Sequence, residues 1–363
     1  MRNLVERSDE AIVWLLMALF GVAPLATSLS RGVPLDAGKW SLVFVLGALA
    51  VLLWLAACYS AKKVEWVSGW FFWAVAAVVG TTFLSTVFST SFWISLFGSG
   101  QETSTFFGIA FLVSMSCLYA LFFRTAPRIS QLISVFFVSS ILVFFSVLYH
   151  VLFPGRFPLS FLAEPAANLV GTWNDLGVFF GLGVVVSFLC SVLQTPAGPR
   201  SRLSLAALCL SFAGLLITDV YAVWVFLAVF FLAALLYVFF YARELGFRTY
   251  AFTLVALLVL LASVFGGGSS VFFGSTLRSL GAPVTEHIRP SLSPTMEVAW
   301  SVLSRDPLFG AGPNRFTNEW FLSRPAGVME TPYWSTPFVF GVGFIPTALF
   351  TTGVGGSAAW ICF

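Results

Sequence analysis

Residues 220–241 read VYAVWVFLAVFFLAALLYVFFY, twenty-two consecutive positions without a charged side chain. A hydrocarbon core of about 30 Å is crossed by roughly 20 apolar residues in helix, so this run predicts a membrane-spanning helix. Asp219 stands directly before it, and another apolar run, 203–218, directly before that. The pair predicts a tight hairpin with Asp219 at its tip. Working outward, comparable runs occupy 11–29, 40–58, 69–88, 104–123, 131–153, 175–193 and 249–266, and a tenth extends from Pro337 to Phe363. The predicted fold is all-α: a polytopic transmembrane helix bundle of about ten spans. It forms a single membrane domain over 1–363, with a long extracytoplasmic loop, 267–336, before the last span.

Composition supports the same reading. The 363 residues are 59% hydrophobic and only 9% charged, against roughly 25% charged in a soluble domain, and mean hydropathy is +0.97. A single soluble core has no room for that much apolar surface. The N-terminus mixes Arg2 and Arg7 with Glu6, Asp9 and Glu10, and no small-residue cleavage site follows, so the first run reads as a retained helix and not a signal peptide. Cys58, Cys117, Cys190, Cys209 and Cys362 all lie in apolar stretches without metal-type spacing and read as inert core- or lipid-facing residues.

Basic residues orient the bundle. Arg2, Arg7, Lys62, Lys63, Arg124, Arg128, Arg200, Arg202, Arg243 and Arg248 fall on one side, and only Arg31, Lys39 and Arg156 on the short loops of the other. The positive-inside rule then sets the N-terminus in the cytoplasm and residues 267–336 outside. The outer side collects Asp36, Glu102, Glu164, Asp175, Asp219, Glu286, Glu297, Asp306, Glu319 and Glu330, together with His150 and His287. A loop of about 70 residues is too long to be a mere connector, so chemistry is expected at the outer face.

Within that loop, Met296, Ala299, Trp300 and Leu303 recur at three- and four-residue spacing, which predicts a short amphipathic helix over Pro294–Ser304, lying along the membrane surface. Next comes Arg305-Asp306-Pro307-Leu308-Phe309-Gly310-Ala311-Gly312-Pro313-Asn314-Arg315-Phe316. Two glycines between prolines predict a tight turn with backbone N–H groups free to face an anion, flanked by two arginines whose planar forks suit phosphate. A plain linker whose arginines touch lipid headgroups accounts for the same pattern. At the mouth of the sixth run, Gly171-Thr172-Trp173-Asn174-Asp175 sets Asn174 or Asp175 as a helix N-cap, and the helix N-terminus could also help bind a polar ligand. Asp219, a carboxylate near membrane depth, is expected to pair with an arginine or face water. Trp173, Trp320 and Trp334 are either interfacial belt or stacking surfaces for sugars.

The order Gly171-Thr172-Trp173-Asn174-Asp175 before a span, a tight hairpin, a long outer loop and the Pro307–Phe316 turn resembles the O-antigen ligase and polymerase class of membrane glycan transferases. So do Leu84-Ser85-Thr86-Val87-Phe88-Ser89 with Ser95-Leu96-Phe97-Gly98, and the closing Thr352-Gly353-Val354-Gly355-Gly356. The resemblance covers about Phe83 to the end. It implies a membrane-embedded glycosyltransferase fold in the bacterial cytoplasmic membrane, and metal-independent, inverting transfer of a glycan from an undecaprenyl-diphosphate carrier. The acceptor would be lipid A core, another glycan or a protein, as in lipopolysaccharide or polysaccharide assembly. No cofactor and no nucleic-acid partner is expected; membrane lipids are. Arg289 and Arg315 match arginines that hold the diphosphate, with His287 as a substitute base if the loop folds back. Arg305, Asn314, Asn174, Asp175, Asp219 and Trp173 are the candidate substrate contacts.

The chain departs from the family pattern at Ile217-Thr218-Asp219-Val220, where the ligases carry an arginine, and at Tyr333–Phe338, where they carry a histidine. It ends inside an apolar run, at Trp360-Ile361-Cys362-Phe363, so further spans are expected beyond it. The rival reading is a multi-span transporter or flippase of a lipid-linked or polar substrate. Such proteins set ionisable or broken-helix sites near mid-membrane, whereas polar groups here concentrate at one face. A structural or sensor protein with an outer loop is the third reading, with no feature of its own beyond the loop.

Overall fold

The computed structural model describes residues 2–26, 35–98, 102–153, 168–193, 199–241, 253–254, 256–257, 260–261 and 289–363. These are all helical or irregular, with no strand among them. In chain order the helices are α1 (Arg2–Val22), α2 (Leu35–Ala61), α3 (Trp70–Phe88), α4 (Phe92–Phe97), α5 (Phe106–Phe122), α6 (Ala126–Leu152), α7 (Trp173–Leu193), α8 (Pro199–Thr218), α9 (Tyr221–Tyr241), α10 (Leu292–Leu303), α11 (Phe316–Leu322), α12 (Ala326–Met329) and α13 (Phe344–Cys362). Six are long and apolar enough to cross a membrane: Gly38–Ala61 within α2, α3, α6, Trp173–Val192 within α7, Arg200–Thr218 within α8, and α9. This makes the chain a multi-pass membrane protein. The four other expected spans differ in kind. The α1 helix ends at Val22 and carries charges in its first turns, α5 has 17 apolar residues, α13 is interrupted at Gly353, and most of 249–266 lies outside the described residues.

The described residues fall into two compact units. One comprises Trp14–Leu46 and Thr125–His287. Its core is a stripe of Leu176, Phe180, Val184 and Phe188 at four-residue spacing along α7, packed with Val143, Phe144 and Val147 of α6, Leu215 of α8 and Trp224, Leu227 and Phe231 of α9. Val178 and Leu182 on the other side of α7 are exposed, as a lipid-facing surface requires. Small residues set the helix separation: the Phe180 ring lies against Gly214, and Gly183 faces Ser211. The expected hairpin is present. The α8 helix ends at Thr218, Asp219 adopts φ 48° and α9 begins at Tyr221.

The second unit comprises Met1–Val13, Gly47–Arg124 and Ile288–Phe363. Here α3 packs on α5 and α13, and α10 packs on α11 and α13. Val298, Ala299 and Val302 of α10 meet Phe316 and Trp320 of α11, Phe338 and Phe350 in one buried cluster. The buried face of α10 is thus Thr295, Val298, Ala299, Val302 and Leu303, turned from the predicted stripe, and Trp300 is exposed. Thr295 fixes that rotation: its hydroxyl donates to the Ser291 carbonyl at 2.8 Å and accepts the Val342 N–H at 3.1 Å.

The α13 helix is broken by design of its backbone. At Gly353 (φ 67°, ψ −169°) it leaves helical geometry, so the regular bonds from Val354 N–H to Phe350 and from Gly355 N–H to Thr351 are lost. The 307–312 turn takes their place. Ala311 and Gly312 N–H donate to the Phe350 and Thr351 carbonyls at 3.1 and 2.9 Å. The Val354 and Gly355 N–H groups donate to the Pro307 and Leu308 carbonyls at 3.0 and 3.4 Å. Four bonds across the seam thus satisfy the Phe350 and Thr351 carbonyls and the Val354 and Gly355 N–H groups.

Glycine is required at Gly353, both for its positive φ and because a Cβ there would strike the Leu308 carbonyl. Gly353→Ala is expected to lower stability by about 2 kcal/mol or more, the left-handed strain plus the clash. Gly80→Ala, at a helical position with open space around it, is expected to hold or raise stability by up to ~1 kcal/mol. Denaturant unfolding of the detergent-solubilised variants reads both; equal stability at 353 would refute the seam.

Candidate functional site

The glycine turn is clamped from its other side by the end of α3. The Ser85 hydroxyl sits 2.6 Å from the Phe309 carbonyl and 2.9 Å from the Thr351 carbonyl, bridging the turn and α13. Ser89 donates to the Ala311 carbonyl at 3.0 Å and accepts from the Ser95 hydroxyl of α4 at 2.8 Å. Phe88 stacks on Phe309 with ring centres 4.7 Å apart. Asn314, at φ 60°, donates its amide to the Glu102 carboxylate and accepts from the Ser104 hydroxyl at 2.8 Å. Three stretches far apart in sequence, 85–104, 307–316 and 350–355, therefore form one polar seam.

Arg315 follows directly. It caps the N-terminal end of α11 and is only 6% exposed. One Nη2 donates to the Thr90 hydroxyl at 3.0 Å, and Nε is buried with no acceptor. The nearby carboxylates are committed elsewhere: Glu319, itself buried, pairs with Arg305 at 2.6 Å, and Glu102 holds Asn314. Among the described residues no carboxylate pairs with Arg315. A guanidinium cannot shed its charge, and burying an unpaired charge is costly. Fully buried Trp320, on the same short helix, also has an indole N–H without an acceptor. Arg315 and Trp320 therefore each hold a buried N–H donor that could serve an acceptor brought from outside the described residues.

The backbone N–H groups expected to bind an anion do not. Those of Ala311 and Gly312 are taken by α13, and that of Gly310 by the Asp306 carbonyl at 3.1 Å. The turn's own backbone is spent on closing the broken helix. Of the other candidates, Arg289 is exposed with its guanidinium over the Phe340 ring at 5.0 Å. Arg305 donates to Glu319 and to the Ser301 carbonyl at 3.2 Å. His287 lies outside the described residues.

The remaining four candidates, Trp173, Asn174, Asp175 and Asp219, belong to the other unit. Thr172, not Asn174 or Asp175, holds the cap position of α7. Its hydroxyl accepts the Asp175 N–H at 3.2 Å, and Asp175 reaches back to the Thr172 N–H at 3.1 Å, a reciprocal capping box. Trp173 is buried and donates its indole N–H to the Thr218 carbonyl at 3.1 Å, so it is no sugar platform. Asp219 accepts from the Trp224 indole, on the helix it precedes, at 3.2 Å. Asn174 is half-buried beside them in the first turn of α7. Lys39, in the same unit, is buried and donates to the Leu169 and Val170 carbonyls just ahead of α7.

Thr90, Ser104 and Glu102 carry the seam without having been singled out from the sequence as site residues. The signal was present: Ser85, Thr86, Ser89, Thr90, Ser91 and Ser95 crowd the end of an otherwise apolar span. No protein-family model matches the chain, and no protein of curated function matches it.

Because no carboxylate among the described residues pairs with buried Arg315, Arg315→Met is expected to stabilise the isolated protein by about 1–2 kcal/mol. Thr172→Ala is expected to cost about 1 kcal/mol through loss of the cap. Thermal unfolding in detergent without added phosphate compounds separates the two; a destabilised Arg315→Met would show that Arg315 is structural.

Proposed function

We propose that this chain is a glycan transferase of the O-antigen ligase or polymerase type, moving an undecaprenyl-diphosphate-linked glycan to an acceptor at the extracytoplasmic face of the bacterial cytoplasmic membrane. The observation that carries the reading is Arg315: a permanent cation, buried, bound among the described residues to one neutral hydroxyl, in a seam that joins three of the segments on which the family resemblance rests, 84–98, 307–316 and 352–356.

In such a transfer the acceptor oxygen attacks the anomeric carbon from the face opposite the carrier. The bond from that carbon to the phosphate oxygen breaks, and charge collects on the departing diphosphate. A preorganised guanidinium in a water-poor site stabilises that charge without reorganisation. Arg315 is assigned this role, with Thr90 orienting its fork. Exposed Arg289 is assigned the outer phosphate. The acceptor is lipid A core, another glycan or a protein.

The sidedness argument is consistent with this. The asymmetry of basic residues puts both 89–103 and 267–336 outside, and Ser89, Thr90 and Glu102 meet Ala311, Arg315 and Asn314 at the seam. Transport is less well supported. Transporters use a broken helix to present bare backbone to an ion or substrate, whereas the break in α13 is filled by the 307–312 turn.

The test is transfer in vitro: full-length protein in detergent, a labelled undecaprenyl-diphosphate oligosaccharide and candidate acceptors, without added metal. Arg315→Ala is expected to lower the rate about 10²–10³-fold and Arg289→Ala about tenfold, while Asp219→Asn keeps most of it. Absence of both transfer and carrier binding with every acceptor class would sink the proposal in favour of transport.

A further inference from the structure

A second arginine lies at the other end of α11 and serves a different ligand. Phe321, Leu322, Arg324, Met329, Trp334 and Ser335 line an open cavity of about 460 Å³, within the roughly 300–1,000 Å³ typical of small-molecule sites. The Arg324 guanidinium lies 4.6 Å from the centre of the Phe321 ring, which fixes its plane. Its Nη1 reaches only the Met329 sulfur, at 3.8 Å, and its Nε is shielded from solvent without an acceptor. Among the described residues no carboxylate pairs with it.

The rim is apolar in spite of this charge. Leu322 is 72% exposed, Met329 56% and Trp334 54%. An exposed apolar rim around one unneutralised cation complements an amphiphile: an anionic head for the guanidinium and alkyl chain for Leu322, Met329 and Trp334. The Ser335 hydroxyl adds a donor beside the head. A purely apolar ligand would leave the arginine unpaired, and a free anion would leave the rim in water. Arg324 follows α11 and Arg315 precedes it, so the seven residues of that helix, about 10 Å, separate the two arginines along the chain.

We propose that this cavity binds an acidic phospholipid of the surrounding bilayer, its headgroup phosphate on Arg324 and its acyl chain along Leu322, Met329 and Trp334. The site stands independently of the transferase reading.

The test is native mass spectrometry of the full chain in detergent, titrated with phosphatidylglycerol, phosphatidylcholine or undecaprenyl phosphate. Wild type is expected to retain one phosphatidylglycerol about tenfold more strongly than phosphatidylcholine. Arg324→Gln should bring the two within about twofold, with partial rescue by Arg324→Lys. Should Arg324→Gln fail to fold, a salt series on wild type still decides, since a phosphate–guanidinium contact weakens as salt rises and apolar binding does not. Equal retention of the two phospholipids by wild type, a preference that survives Arg324→Gln, or a salt-independent preference overturns the proposal. So does undecaprenyl phosphate displacing phosphatidylglycerol at equal concentration in an Arg324-dependent way, which would give the cavity to the carrier.

Discussion

The exchange of backbone hydrogen bonds at Gly353 is what the rest of this unit depends on. A helix cannot be broken among apolar side chains unless the groups released by the break find partners. Here the Phe350 and Thr351 carbonyls and the Val354 and Gly355 N–H groups all find theirs on the 307–312 turn. The backbones approach so closely that a Cβ at Gly310 would lie 2.6 Å from the Phe350 carbonyl oxygen. Once the turn is seated, Ser85 and Ser89 can bind its outward carbonyls, and the end of α3 is drawn into the same seam. Asn314 and Arg315, the next residues along, then have no freedom to be elsewhere.

That rigidity is what makes an unpaired buried arginine tolerable. A surface guanidinium would swing to water or to the nearest carboxylate. Arg315 is held between Thr90 and the start of α11, while the carboxylate one turn on, Glu319, is already bound by Arg305. Arg305 and Arg315 look equivalent as flanks of the glycine turn, yet their environments differ. Arg305 neutralises a buried acid, whereas no carboxylate among the described residues pairs with Arg315.

The spans were legible because their signal is one-dimensional. Runs such as 131–153 and 220–241 are apolar whatever packs against them, and α6 and α9 fall there. The hairpin at Asp219 was legible for the same reason, since one charge between two apolar runs leaves the chain little choice. Partial errors arose where a neighbour decided. The buried face of α10 was rotated by the Thr295 contacts to Ser291 and Val342. The cap of α7 went to Thr172, because a box with Asp175 satisfies two groups where a lone Asn174 or Asp175 cap satisfies one.

By itself, then, the sequence determined that this is a multi-pass, all-helical membrane protein, where most of its helices run, and that its polar residues gather between them. Those properties follow from local hydrophobicity and from the high cost of leaving apolar segments in water. Only the tertiary structure decided what the polar residues do. It spent the turn's backbone N–H groups on a broken helix, tied the Trp173 indole to the Thr218 carbonyl, paired Arg305 with Glu319 and, among the described residues, left Arg315 without a carboxylate. The physical reason is that hydrogen-bond and charge satisfaction are properties of pairs. The partners here, Ser85 with Phe309 or Arg315 with Thr90, lie more than two hundred residues apart in the chain.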